Sequence, residues 1–337
     1  MALNRRQFLF ALPLCTAACA TGKVIDPKTG YVELARTPAA GKRATILVCM
    51  PETRQTSEVW SGLTDELRGD FGLVALKVEG RAASRVIAEA VRRYAPRAVV
   101  LMNNPTVQAY RDFQRSSPGV RFPPAVIVMT SFLEGRQPLI GATGISYEVP
   151  LITVVTNLRK LLASPIERVG VVLRSPLGGF VRRQSELARR EQITVSAEVV
   201  SSAPNSSELR RALRKVKRRV DALWILNDDR LLTPTLIAEG WLPGLSERRF
   251  IPAIVGVASL VSPLQSLGTF AVLPDHTALG VQTANLLFDI ADNHWQLPND
   301  SDVQLPLSTT TTVDLAQVRE RFELRQGALA QVDRILE

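Results

Sequence analysis

Cysteine and histidine are scarce in this 337-residue chain, and their scarcity excludes several kinds of site. Two of the three cysteines lie within the first twenty residues, so Cys49 stands alone in the remainder. One cysteine builds neither a disulfide framework nor a thiolate metal site, and the apolar run around it indicates a small buried residue. The two histidines, His276 and His294, are too far apart to form a local metal-binding pair. We therefore predict no metal and no cofactor.

Aromatic residues are also few, at 6% of the chain. The net charge is +9, but the basic residues are scattered among acids, without an arginine tail or interleaved aromatic residues. This pattern argues against binding to nucleic acid. No Gly-x-Ser-x-Gly elbow, phosphate-binding Gly-x-x-x-x-Gly-Lys loop or His-Glu-x-x-His pair occurs, so the sequence predicts neither catalytic residues nor an enzyme.

The first twenty residues form a predicted export signal. A basic start precedes a short apolar stretch and a segment of small residues, and the apolar stretch is too short to span a membrane. The pair Arg5-Arg6 resembles a twin-arginine export motif, although an ordinary Sec signal also fits. Thr16-Ala-Ala-Cys19 resembles a lipobox and departs from it at Thr16, so either Cys19 is lipidated or cleavage releases a soluble periplasmic protein.

Residues 21–41 are rich in Gly, Pro, Thr and Lys, which predicts a flexible tether. From Thr45 onward, short β-branched runs alternate with amphipathic stretches, the pattern of a parallel sheet covered by helices. The strands predicted for a first lobe are Thr45–Met50, Leu73–Val78, Ala98–Met102 and Ala125–Met129. The helices between them are predicted at Glu58–Arg68, Ala83–Tyr94 and Val107–Arg115.

The same alternation begins again after Pro150 and predicts a second lobe of similar build. Its predicted strands are Arg168–Leu173, Thr194–Val200, Ala222–Leu226 and Ile251–Val257, with helices at Leu151–Leu162, Gly179–Glu191 and Ser207–Arg219. A further unit follows, with a strand at Gly268–Leu273 and a helix at Ala278–Asp292. The predicted fold class is therefore α/β, with two doubly wound lobes joined by hinge crossovers.

Four stretches give the chain a resemblance to a known family: Gly141–Tyr147, Ser164–Leu173, Val220–Asp229 and Gly268–Gly280. In their order and spacing these stretches resemble the ABC-transporter substrate-binding proteins of the type I periplasmic-binding fold, in the branch that includes aromatic amino-acid binders. The resemblance implies three crossovers, near Glu148, Gly268 and Pro298. Lobe one would then be residues 42–148 plus 268–297, and lobe two residues 149–267 plus 298–337.

Polar side chains follow the predicted strands, where a ligand binds in such sheets. If the lobes face each other, these strand ends converge on one cleft and supply the few polar groups that orient a small ligand. The candidate ligand-binding residues are Pro51, Glu52, Asn103, Asn104, Thr130, Ser131, Arg174, Ser175, Asn227, Asp228 and Asp275.

Several of these residues have a second interpretation. Asp229, next to Asp228, could cap a following helix, and Asn104 could cap a helix that has Pro105 at its first position. Glu52 could lie at a solvated helix start, and Arg174 is either a ligand clamp or an exposed loop residue. His276 is predicted as a loop or hinge residue rather than a ligand contact.

The leading hypothesis is an exported, periplasmic solute-binding protein that closes two lobes on a small molecule and delivers it to an inner-membrane ABC permease, with a lipid anchor if Cys19 is modified. A second hypothesis keeps the fold but has the closed form signal to a membrane sensor. A third, an envelope hydrolase, depends only on the adjacent acids Asp228 and Asp229, which lack the partner or metal that a catalytic carboxylate needs.

Overall fold

The computed structural model describes residues 25–26, 31–37, 44–133, 139–247, 249–298 and 302–337. The predicted export signal and Cys19 lie outside these ranges. None of the helices within them is both long and apolar enough to cross a bilayer.

The first sheet is mainly parallel and runs in the spatial order β1-β2-β4-β3-β5-β6-β7. Its strands are β1 (Ile25–Asp26), β2 (Tyr31–Thr37), β3 (Thr45–Met50), β4 (Gly72–Lys77), β5 (Ala98–Met102), β6 (Ala125–Thr130) and β7 (Ala142–Ser146). The strands β3 to β7 pair in parallel, whereas β2 is antiparallel to both of its neighbours.

The second sheet repeats this plan in the order β14-β13-β12-β11-β10-β8-β9. Its strands are β8 (Arg168–Arg174), β9 (Thr194–Val200), β10 (Ala222–Ile225), β11 (Ala253–Val255), β12 (Phe270–Pro274), β13 (Thr309–Asp314) and β14 (Arg334–Leu336). The strands β8 to β12 are parallel, and β13 runs antiparallel to β12. Two parallel sheets of the same internal order confirm the predicted fold class.

Helices cover both faces of each sheet. They are α1 (Arg54–Leu67), α2 (Ala83–Tyr94), α3 (Asn104–Ser116), α4 (Leu151–Leu161), α5 (Gly178–Ala188), α6 (Ser206–Lys217), α7 (Pro234–Leu236), α8 (Leu242–Ser246), α9 (His276–Asp292) and α10 (Leu315–Arg321). A π-helical turn, Ile237–Trp241, joins α7 to α8. Each lobe therefore holds two apolar layers, one on either side of its sheet.

Short polar side chains fix where the helices begin. The Thr53 hydroxyl accepts a hydrogen bond from the Thr56 amide at 3.2 Å and starts α1, and the Asp275 carboxylate accepts from the Ala278 amide at 3.0 Å and starts α9. Such caps satisfy amides that have no partner within the helix. The same strand-to-helix turns place these residues at the carboxyl ends of the strands.

The chain crosses between the lobes three times within the described ranges. The first crossover lies between β7 and α4, and the second follows Pro274. The prediction near Gly268 is wrong, because β12 pairs with β11 and β13 and so belongs to the second lobe. The prediction near Pro298 is also too early, because Gln304 still bridges to Ile145 of the first sheet, and the chain reaches the second sheet only at Thr309.

The prediction of a tether over residues 21–41 is wrong for the strand β2. This strand pairs with β4, and its Thr37 hydroxyl accepts a hydrogen bond from the Leu73 amide at 3.0 Å. Its Glu33 carboxylate accepts a hydrogen bond from the Tyr94 hydroxyl at 2.6 Å. The strand β2 therefore extends the sheet of lobe one.

Candidate functional site

A cavity of about 250 Å³ lies between the two lobes. In the first lobe, its wall is formed by the start of α1, the residue after β7 and the start of α9. In the second lobe, its wall is formed by the turn after β11 and by β12, β13 and β14. The lining residues are Arg54, Gln55, Glu58, Tyr147, Val257, Ala258, Leu273, His276, Thr310, Thr312, Asp333 and Arg334. A position beyond the carboxyl ends of parallel strands is where α/β sheets bind ligands.

A chain of hydrogen bonds fixes the wall of this cavity in the first lobe. Arg54 Nε donates to Glu58 Oε1 at 2.9 Å, and Glu58 Oε2 lies 3.0 Å from Nδ1 of the buried His276. His276 Nε2 lies 2.9 Å from the Tyr147 hydroxyl. Because Nδ1–H donates to the carboxylate, Nε2 accepts the Tyr147 O–H in the neutral imidazole. All four side chains are thereby held in one arrangement.

The surroundings of Glu58 and Tyr147 set their ionisation. Burial alone would raise the pKa of Glu58, but the hydrogen bonds from His276 and Arg54 outweigh it and lower this pKa below its usual value. Burial, together with the Glu148 and Glu58 carboxylates, raises the pKa of Tyr147. The wall therefore carries an ionised carboxylate and a protonated phenol at neutral pH.

A second cavity, of about 20 Å³, lies beside Tyr147 and has room for a single water. Asn227 borders it, and the Asn227 Oδ1 atom is buried without a hydrogen-bond partner among the described residues. A Cβ on Gly256 would lie 2.7 Å from this oxygen, so only glycine leaves room for the amide. Asn227, which was predicted as a ligand contact, therefore has an acceptor available at the cleft.

Arg174 and Asp228, which were predicted separately, form a bidentate ion pair in the second lobe. Arg174 Nε and Nη2 each donate to one oxygen of Asp228 at 2.7 Å, and the Arg230 amide also donates to Asp228 at 3.0 Å. The Asp228 side chain is only 1% exposed, and the Arg174 side chain 17%. Hydrogen bonding to Asp228 raises the pKa of the Arg174 guanidinium. In this conformation the pair joins the ends of β8 and β10.

The predicted residues of the first lobe shape the loops after their strands. Asn103, rather than Asn104, caps α3 by accepting from the Thr106 amide at 3.0 Å. Asn104 Oδ1 instead accepts from the Ser131 amide at 3.1 Å and so joins the ends of β5 and β6. Thr130 between them is fully buried. These residues therefore fix the loops at the carboxyl ends of β5 and β6.

The remaining predicted residues lie around the same edges. The Pro51 carbonyl accepts from the Thr56 hydroxyl at 2.7 Å, and Glu52 lies 3.3 Å from the ammonium of Lys77 at the surface. Ser175 is exposed in a short turn after β8. The alternative that Asp229 caps a helix is wrong, because Asp229 is an exposed turn residue and Thr233 caps α7.

The loop after β6 connects the two lobes through an aromatic side chain. Phe132 in this loop and Met129 near the end of β6 both have a φ of 55°, a left-handed conformation that is costly for such residues. The Phe132 amide donates to Glu148 Oε2 at 2.8 Å, and its ring packs in the second lobe, 5.2 Å from the Phe180 ring. The strained backbone thus aims a side chain of lobe one at the core of lobe two.

The residues of the larger cavity were mostly missed from the sequence. Arg54 and Glu58 lie in the first two turns of a helix, and Arg334 is in a three-residue strand near the chain end. The threonine run in β13 is β-branched throughout and could have predicted a strand. His276, predicted as a loop or hinge residue, is the first residue of α9 and lines the cavity.

Solved structures resemble the chain over most of its length, although the identity is low. The ABC domain in complex with L-Trp from Streptococcus pneumonia has a TM-score of 0.53 and 15% identity, and the match covers 87% of this chain and 100% of that one. A ligand-free, open substrate-binding protein with adhesive properties from Clostridium difficile has a TM-score of 0.60 and 14% identity, over 87% and 99% of the two chains. A conserved domain protein from Vibrio cholerae has a TM-score of 0.55 and 16% identity, over 87% and 100%.

No protein-family model matches the sequence, and no curated protein matches it either. The similarity is therefore one of structure, shared along the whole length of the solved chains at 14–16% identity. Two sheets whose five parallel strands run in the same order, three crossovers within the described ranges and a cavity between the lobes agree with it. The chain has the type I periplasmic-binding-protein fold.

Proposed function

We propose that the protein is an exported solute-binding protein that holds a small ligand between its lobes and delivers it to an inner-membrane ABC permease. The observation that carries this proposal is the cavity of about 250 Å³ whose walls come from both lobes. A ligand that contacts both walls stabilises the closed form over the open one, because the open form can offer only one wall. No covalent step is part of this function.

Export and anchoring belong to the same proposal. The sequence of residues 1–20 supports export to the periplasm, and Cys19 would carry a lipid that keeps the protein at the membrane near its permease. Mass spectrometry of the mature protein and of the variant C19A tests this part. A mature chain without a lipid on Cys19 would leave a soluble periplasmic protein.

The binding experiment is thermal unfolding of the chain from Thr21 onward, which retains β1 and β2, against amino acids, nucleobases, sugars and small organic acids. A ligand at a hundred times its dissociation constant stabilises the native state by about 2.7 kcal/mol. For a chain of this size that corresponds to a rise in Tm of roughly 4–5 °C. Small-angle X-ray scattering with and without the ligand then measures closure as a fall in the radius of gyration.

A matched pair of variants locates the site. Ala258 lines the cavity, whereas Leu264 is 98% exposed in a turn of the same lobe. We expect A258F to abolish the ligand-induced shift and L264F to retain it. A library without any saturable shift, or a shift that survives A258F, contradicts binding at this cavity.

The transport step has its own test. Cells that lack the protein should lose uptake of the identified ligand at low concentration, and A258F should not restore it. Unchanged uptake in those cells, together with normal ligand binding in vitro, would favour the second hypothesis, in which the closed form signals to a membrane sensor.

A further inference from the structure

Two arginines from opposite lobes line the larger cavity. Arg54 is the first residue of α1 in lobe one, and Arg334 is the first residue of β14 in lobe two. Arg54 uses only its Nε atom to bind Glu58, at 2.9 Å. Its two terminal nitrogens and the Arg334 guanidinium make no hydrogen bond with the described residues. Both guanidinium groups therefore keep donors for a ligand.

Both carboxylates of the cavity already accept two hydrogen bonds, and only Asp333 Oδ1 is left without one among the described residues. The two oxygens of Glu58 accept from Arg54 Nε and His276 Nδ1. Asp333 Oδ2 accepts from both the amide and the hydroxyl of Thr311, each at 2.7 Å. The formal charges of the two arginines and two carboxylates cancel, so the ligand preference depends on which groups have unused hydrogen-bonding capacity. The unused hydrogen-bonding capacity of the cavity belongs mainly to the donors of its two guanidinium groups.

The start of α1 adds to this preference. The first turn of this 14-residue helix contains no acid, its cap is the neutral Thr53, and its first residue is Arg54. A cation at a helix N-terminus is unfavourable in isolation, because that end of the helix is already positive. An anion placed there would interact favourably with both the arginine and the helix. The Thr310 and Thr312 hydroxyls of the opposite wall can donate to the same anion.

We propose that the cavity binds a compact organic anion, whose carboxylate or phosphate group is held by Arg54 from lobe one and Arg334 from lobe two. The inference rests on the proposed function and names the ligand class for the same site. Guanidinium groups match the planar acceptor pairs of such anions and bind them through two parallel hydrogen bonds. Because each lobe supplies one guanidinium, the anion gains its second partner only when the lobes approach, and its binding favours closure.

The test compares anions with neutral molecules of the same shape by titration calorimetry at low salt. Benzoate is paired with benzamide, succinate with succinamide, and glycerol 3-phosphate with glycerol. The carboxylates and the phosphate ester together distinguish the two sources of negative charge. The variants are R54Q and R334Q, both of which change exposed side chains. The matched control is R92Q, because Arg92 is an exposed arginine on α2 that pairs with a glutamate and does not line the cavity.

We expect at least one anion to bind while its neutral partner does not. Removal of one charge-assisted contact should weaken binding by roughly tenfold or more in R54Q and in R334Q, and R92Q should match the wild type. Saturable binding of a neutral molecule that neither variant affects would overturn the inference and leave the proposed function intact. A protein that binds none of the molecules, and nothing in the wider library, would overturn both.

Discussion

Replacing Arg174 should destabilise the protein more than replacing its partner Asp228. The reason is the unequal exposure of the pair, since the Asp228 side chain is 1% exposed and the Arg174 side chain 17%. In R174M the carboxylate stays buried and, among the described residues, keeps only the Arg230 amide as a donor. In D228N the charge that is left belongs to Arg174, whose guanidinium can still reach water.

The expected magnitudes follow from this difference. Breaking a buried ion pair by removing one partner costs about 3–5 kcal/mol, because a buried charge loses its compensation. In D228N the side-chain amide oxygen can still accept from the Arg230 amide, and the Arg174 guanidinium stays partly hydrated. D228N should therefore lower the free energy of unfolding by about 1–3 kcal/mol. With roughly 2 °C of Tm per kcal/mol in a chain of this size, R174M should melt about 6–10 °C below the wild type. The double variant R174M/D228N has no buried charge and should be more stable than R174M alone.

Urea unfolding and calorimetry of the wild type and the three variants measure these differences. Equal and small losses in R174M and D228N, below about 1 kcal/mol, would refute the reasoning, because that is how a solvated surface pair behaves. The same proteins test the sequence prediction that Asp228 contacts the ligand. Full ligand affinity in D228N would mean that the pair serves the fold of lobe two rather than the ligand.

Three further predictions concern the helix pair, the lobe contact and the pH response. G280A should lower the free energy of unfolding in urea by about 1–3 kcal/mol, because the new Cβ would overlap the backbone of α1. The control G69A should leave it unchanged, because a Cβ there meets nothing within 4 Å. F132A removes an aromatic contact between the lobes, so the ligand-free protein should open and its radius of gyration should rise. An unchanged radius of gyration would contradict a role of Phe132 in holding the lobes together. Folding lowers the pKa of Glu58, so its ionised form adds stability above its usual value of 4.5, and this stability is lost on acidification. The Tm difference between the wild type and E58Q should therefore shrink from about pH 7 to about pH 4. A constant difference would contradict the stabilising hydrogen bonds that the Glu58 carboxylate accepts from His276 and Arg54.

The alternating pattern was enough to predict the fold because the central parallel strands, such as β3 and β5, are buried on both faces. The strands β3, β5 and β9 and the helix α2 have the predicted bounds. The apolar runs of β3 and β5 indicate buried strands, whereas β9 is a partly exposed edge strand that was predicted from its β-branched residues. What failed was the assignment of elements to lobes. The sequence of β12 is compatible with either sheet. Its place in the second sheet depends on pairing with β11 and β13, which no local sequence pattern encodes.

The candidate site was harder to predict than the fold. Arg174 and Asp228 were each recognised as polar residues at strand ends, but their ion pair joins positions 54 residues apart. Arg54 and Arg334 come from opposite ends of the chain and from a helix and a short strand, so neither has a local signature. Strand-end reasoning finds the polar loops after the strands, whereas the walls of the cavity depend on how the lobes are placed against each other.

The hydrogen-bond chain in lobe one bears on how the lobes move. Tyr147 lies on the first crossover and His276 on the second, and the two are hydrogen-bonded at 2.9 Å. Tyr147 packs against the core of lobe one, and His276 begins a helix of the same lobe, so opening can leave this contact intact. Lobe two would then rotate about a preformed wall and bring Arg334 to it. A wall that is ordered before the ligand arrives lowers the entropic cost of binding. Ligand selectivity then depends on the contacts that lobe two adds, such as those of Arg334.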